Sequence, residues 1–127
     1  MSFLLGVDLV CADEVEESIA AHGDRYLERI WTQEELRECS GKKSRLAAAF
    51  AAKEAAMKAL RAGDEPMPWR SIETTGQPGA RPSITLTGAA ADAAERHEVH
   101  ELSVSLATAG RLAAAVVVGE SESEGQA

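Results

Sequence analysis

Three side chains carry chemistry that their surroundings do not require: Asp8 in the apolar run "FLLGVDLV", and Glu54 and Lys58 in the alanine-rich stretch "AFAAKEAAMKAL". A carboxylate inside a buried strand is costly unless a partner or a metal ion compensates it. If that strand packs beside the alanine-rich segment, Asp8 and Glu54 converge as two hard oxygen donors. Mg²⁺ suits such a pair, because it takes one or two carboxylates and completes its shell with water and phosphate oxygens. Lys58, one turn beyond Glu54, would then meet a further phosphate charge or accept a proton. The competing structural account is an ordinary Glu–Lys pair at i,i+4, which stabilises a helix by roughly 0.2–0.5 kcal/mol.

The elements that must position these residues follow from pattern. Residues 3–10 are apolar and partly β-branched, too short for a helix and suited to a buried strand. "ADEVEESIAAHG" places Val15 and Ile19 on one helical face and stops at Gly23, and "DRYLERI" follows with Asp24 as its N-cap. "TQEEL" has the spacing of a capping box, Thr32 with Glu35. Ser44 is the expected cap of the long helix and Gly63, after Leu60 and Arg61, its expected end; Leu46, Phe50, Met57 and Leu60 fall within about 40° of one direction and define its buried stripe. Glu54 lies about 80° and Lys58 about 120° from that direction, at the margin of the stripe. "GDEPMPW" and "GQPGARP" are turn-rich, so residues 70–75 between them form a strand. Residues 83–87 form another, residues 89–96 a short helix, and residues 102–106 with 112–118 an antiparallel pair. The prediction is an α+β domain over residues 1–119, one long helix packed on a small antiparallel sheet, with residues 120–127 as a disordered acidic tail.

Composition narrows the function. A chain of 127 residues is one domain with little room for a deep private cleft, so a site built between subunits is expected. The formal charge of −8 excludes a basic field able to neutralise nucleic-acid phosphates. Cys11 and Cys39 lack metal-ligand spacing, and the core needs no disulfide, which points to a reducing cytoplasm. The N-terminal run has no basic leader and is interrupted by Asp8, so neither a signal peptide nor a membrane span is expected.

Four segments in order, "GVDLV", "HGDRYLERIWTQEEL", "FAAKEAAMKAL" and "SVSLATAGRLAAAVVV", resemble the holo-acyl-carrier-protein synthase type of 4′-phosphopantetheinyl transferase over residues 6–118. The resemblance implies the 4′-phosphopantetheinyl transferase fold and a homotrimer. It also implies transfer of the phosphopantetheine arm of coenzyme A to a serine of an acyl carrier protein, leaving 3′,5′-adenosine bisphosphate. By the same resemblance Asp8 and Glu54 hold Mg²⁺ on the pyrophosphate and Lys58 stands at the reacting phosphate. Lys42, Lys43 and Arg45 would reach the 3′-phosphate side of coenzyme A, and Pro82 in "GARP" would form the turn beside the adenine, with Ala80 at the family's glycine position. A solvated basic loop is the plain alternative for the lysines and Arg45.

The sequence also departs from the family. Thr108 in "VSLAT" stands where a histidine near the coenzyme phosphates is usual, and His22, His97 and His100 do not replace it. Ala49 occupies the place of an arginine, and Glu14 that of an arginine facing the carrier protein. Arg25 and Arg29, one turn apart, are the remaining basic candidates there, unless they pair with Asp24 and Glu28. Two readings follow: a magnesium-dependent transferase with an altered site, or a transferase-fold protein that has lost the reaction and serves as a binding subunit or a different enzyme.

Overall fold

The computed structural model describes residues 1–60, 66–76 and 81–123. Its elements run β1 (Ser2–Cys11), α1 (Ala12–His22), α2 (Asp24–Ile30), α3 (Gln33–Cys39), α4 (Lys43–Ala59), a 3₁₀ turn (Trp69–Ser71), β2 (Ile72–Thr75), β3 (Ser83–Leu86), α5 (Gly88–Arg96), β4 (Val99–Ala109) and β5 (Leu112–Ser121). β1, β5 and β4 form one antiparallel sheet in that order, and β2 and β3 form a second. The α+β prediction is met, with the strands divided between two sheets.

α4 is the central element, packed on β1 and β5 and flanked by α1, α3 and β2. Its alanines make this possible: they favour the helix and let backbones on several sides approach closely. Burial is therefore not the single stripe expected from sequence. Leu46 and Leu60 are buried, but Phe50 and Met57 are only partly so, while Ala47, Ala51, Ala52, Ala55, Ala56 and Ala59 are buried around the circumference. The helix starts one residue before Ser44, with Lys42 at the cap position and no side-chain cap bond; Gly63 lies outside the described residues.

The Thr32–Glu35 capping box is present, with Thr32 Oγ1 accepting from Glu35 N at 3.1 Å and Glu35 Oε1 accepting from Thr32 N at 2.8 Å. Gly23 rather than Asp24 occupies the cap of α2, where φ of +62° suits glycine. Trp31 is buried, donates its indole N–H to the Leu46 carbonyl at 3.1 Å, and stacks edge-on with Tyr26 and Phe50; Phe50 in turn meets Trp69. This aromatic row staples α2, α4 and the 3₁₀ turn together.

β5 runs further than expected. Ser121 pairs with Ser2 and Val99, is buried, and donates its hydroxyl to the His97 carbonyl. Backbone pairing with β1 carries the strand through Glu120 and Ser121 despite their polar character, and Ser121 is paired on both sides; residues 124–127 lie outside the described residues.

Candidate active site

Alternation along β1 turns Leu4, Gly6, Asp8 and Val10 toward α4 and leaves Phe3, Leu5, Val7 and Leu9 on the outer face. β1 and α4 touch backbone to backbone at Gly6, where an added Cβ would lie 1.8 Å from the Ala55 carbonyl oxygen and 2.9 Å from the Ala59 nitrogen. The next inward residue is Asp8, and the α4 residues beside that crossing are Glu54 and Lys58. The crossing thus brings Asp8, near the N-terminus, together with Glu54 and Lys58 from the middle of the chain.

Lys58 Nζ donates to Asp8 Oδ1 at 2.8 Å and to the Val7 carbonyl at 3.2 Å. Asp8 Oδ2 is buried without a hydrogen-bond partner. Burial, then the adjoining Asp8 carboxyl, push the Glu54 carboxyl up to about 7, while Lys58 pulls it down. The Lys58 ammonium is held above its ordinary value by Asp8. Two carboxyls side by side, one with an orphaned buried oxygen, have the chemistry of a hard-cation site. Among the described residues there is no cluster of three or more such donors; two donors suit a cation that completes its shell from water and a phosphate ligand.

Glu14 approaches the same centre. It lies in the first turn of α1, and its charge acts on both Glu54 and Tyr26. Burial raises the Tyr26 pKa, a hydrogen bond with Ser18 opposes this, and the charges of Glu54 and Glu14 add to the rise. α1 itself is pinned to the β4–β5 turn: Arg111 donates to Asp13 Oδ1 at 2.7 Å and Glu16 Oε2 at 2.6 Å, and its carbonyl accepts from Ala12 N at 2.7 Å.

The remaining predicted residues lie elsewhere in the subunit. Lys42 is exposed at the cap of α4, Lys43 opens the helix, and Arg45 is partly buried nine residues before Glu54, about 13 Å along the axis. Arg45 and Ala49 line one small cavity with Glu38, Cys39, Thr74 and Gly76. Thr108 is exposed and pairs with Ala113, which pairs with Val10, so it stands two strands from β1, about 10 Å across the sheet. Pro82 is partly buried before β3, and Ala80 lies outside the described residues. Arg25 and Arg29 line a cavity of about 520 Å³ with Ala21, His22 and Tyr26, and neither forms an ion pair with Asp24 or Glu28 among the described residues.

Sequence reasoning missed Lys53. It is fully buried and pairs with buried Glu35 at 2.7 Å, while donating to the Trp69 carbonyl at 3.0 Å and to the Ile72 carbonyl. Glu35 Oε2 accepts from Thr74 N at 2.8 Å and Thr74 Oγ1 at 3.0 Å. Burial holds the Lys53 ammonium below its ordinary pKa against the pull of Glu35. The signal was a lysine in an otherwise alanine-filled face, but its partner is eighteen residues away and only the fold joins them. Both cysteines are free, and burial with the charge of Glu35 and Glu38 pushes the Cys39 thiol up to about 12.

Residues 4–117 match a family model described as the 4′-phosphopantetheinyl transferase superfamily. The holo-[acyl-carrier-protein] synthase of Herpetosiphon aurantiacus is 37% identical over 121 residues, 90% of this chain and 95% of the relative. That of Moorella thermoacetica is 40% identical over 119 residues, 91% and 92% of the two chains. Among solved structures, the Helicobacter pylori holo-[acyl-carrier-protein] synthase in complex with coenzyme A superimposes with a TM-score of 0.81 at 30% identity, covering 92% of this chain and all (100%) of that one. The Chronobacterium ammoniagenes ACPS–CoA complex gives 0.83 at 25% identity, with 97% and 100% covered. With the motifs in register and the fold reproduced over nearly the whole chain, this protein belongs to the 4′-phosphopantetheinyl transferase superfamily and is an enzyme of its holo-acyl-carrier-protein synthase type.

Proposed function

We propose that the protein transfers the 4′-phosphopantetheine arm of coenzyme A to a serine hydroxyl of an acyl carrier protein in a Mg²⁺-dependent reaction in the cytoplasm, releasing 3′,5′-adenosine bisphosphate. The observation that carries this reading is the convergence of Asp8, Glu54 and Lys58 at the Gly6–Ala55 crossing, with Asp8 Oδ2 buried and unpartnered. Asp8 and Glu54 would hold the metal ion, which when bound offsets charge developing on the 5′-phosphate of the departing 3′,5′-adenosine bisphosphate. Lys58 presents a positive charge at the mouth of the site, 57% exposed against 11% for Asp8, and so can orient a phosphate oxygen and screen its charge. Lys42, Lys43, Arg45 and Pro82 would take the nucleotide end of coenzyme A, and Thr108 would stand on its phosphate side in place of an imidazole.

A chain of 127 residues leaves little room for a deep private cleft, which supports a site completed between subunits. The outer face of the large sheet supplies a means of association, since Phe3, Leu5, Val7, Leu9, Leu112 and Val116 are all exposed. We take the assembly to be the homotrimer that the family resemblance implies.

Intact-protein mass spectrometry of apo carrier proteins incubated with this protein, coenzyme A and Mg²⁺ tests the reading. A phosphopantetheine mass increment is expected with the wild type, and a rate lower by about 10²-fold or more with Glu54→Gln. A folded wild-type protein that modifies none of a broad carrier panel would instead favour a fold that has lost the reaction, in line with Ala49, Thr108 and Glu14.

A further inference from the structure

Lys58 has partners before any ligand arrives. Its ammonium donates to Asp8 Oδ1 and to the Val7 carbonyl, although more than half of the side chain is exposed. Holding a long exposed side chain in one place costs conformational entropy, so the acceptors must compensate. They do so because Asp8 is largely desolvated beside the Glu54 carboxyl, and Lys58 is the group that offsets this concentration of acid; Asp8 and Glu14 both act in the opposite sense on Glu54.

A cation bound by Asp8 and Glu54 would draw on the same carboxylate charge that Lys58 uses. Oδ1 and Oδ2 belong to one delocalised anion, and a divalent ion on either oxygen weakens the attraction holding the ammonium at the other. A diphosphate arriving with the metal offers Lys58 a replacement acceptor. We propose that Lys58 is an internal counter-cation of the metal-free protein, docked on Asp8 and Val7 until a divalent ion displaces it toward the incoming phosphate. This rests on the assignment of Asp8 and Glu54 as cation ligands. It makes the ion and the diphosphate mutually reinforcing: the ion frees Lys58 for the phosphate, and the phosphate removes the competitor of the ion.

Two measurements without coenzyme A or a carrier protein test it. Mn²⁺ binding, followed by electron paramagnetic resonance, is expected to be about two- to fivefold tighter in Lys58→Met than in the wild type. Repulsion without displacement would give the same gain, so the position of the side chain must be read as well. The chain has four lysines, and the ¹³C-dimethyl resonance of Lys58 can be assigned by its loss in Lys58→Arg. It is expected to move on saturation with Mg²⁺ toward the position it already occupies in metal-free Asp8→Asn. An unmoved resonance, a resonance identical in metal-free wild type and Asp8→Asn, or equal Mn²⁺ affinity in wild type and Lys58→Met would overturn the displacement and leave carrier modification untouched as a separate observation. Absence of Mn²⁺ binding to both proteins would overturn the cation site and the displacement together.

Discussion

Adjacent residues on α4 carry charge for different ends. Lys53 and its partner Glu35 are buried, and their polar atoms meet the Thr32 and Thr74 amides and the Trp69 and Ile72 carbonyls, so the pair joins α3, α4 and β2 as a closed network. Removing one member of such a pair leaves a buried charge alone and costs about 3–5 kcal/mol. Glu54 and Asp8 are the reverse, with acids crowded together and an oxygen left unsatisfied. That crowding has a pH signature. The folded Glu54 carboxyl titrates near 7 and an ordinary glutamate near 4.5, so between these values the folded chain retains a proton that the unfolded chain has lost. Stability of the metal-free protein must therefore fall as pH rises from about 4.5 to 7 through this group, by about 1 kcal/mol once solvent screening is allowed for. Denaturation midpoints measured across that range should decline more steeply in the wild type than in Glu54→Gln; parallel profiles would rule out the raised carboxyl.

At the scale of elements, the site depends on a strand and a helix meeting without side chains between them. Gly6→Ala would set a methyl carbon on the Ala55 carbonyl, and backbone cannot rotate away as a flexible side chain can. Overpacking of this kind costs about 1–3 kcal/mol, and here the cost is expected at or above the upper end. Thermal melting should show the loss of stability, and transfer activity in the fraction that remains folded should fall because Asp8 is carried away from Glu54. Unchanged melting and activity would mean that the crossing is not as close as described. The strand character of β1 and the alanine run of α4 were legible because each is a local pattern, whereas the exposure of Phe3, Leu5, Val7 and Leu9 was not, since a near-continuous apolar run reads as a buried strand. The circumferential burial of α4 was not, since a stripe-based reading assumes one solvent face. The Lys53–Glu35 pair was illegible for a related reason: a capping box accounts for Glu35 locally, and nothing in "TQEEL" announces a second role across the core.

The whole molecule presents a paradox of surface. A chain with net charge −8 leaves a row of large apolar residues in water on one sheet face, Leu5 and Leu9 each more than 60% exposed (62% and 67%). Such a face on a small domain marks an association surface, and our reading assigns it to the homotrimer. Leu5→Asp points outward, away from α4, so it should leave the subunit folded by circular dichroism while light scattering shows monomers in place of trimers. Transfer should be lost with the assembly if the nucleotide end of coenzyme A is held by a neighbouring subunit. A monomeric wild type, or an active monomeric Leu5→Asp, would remove the inter-subunit site.

Taken alone, the sequence determined the order and type of most elements, the family and the three residues of the candidate centre, because these reside in local periodicity and in short motifs at readable spacing. Tertiary structure decided which oxygen of Asp8 is left without a partner, that Lys58 rests on that same carboxylate, that Glu14 reaches the centre, and that Thr108 stands two strands away. Each of these turns on distances between segments remote in the chain. Those distances are set by the Gly6–Ala55 contact and by strand register, quantities that no local pattern of residues encodes.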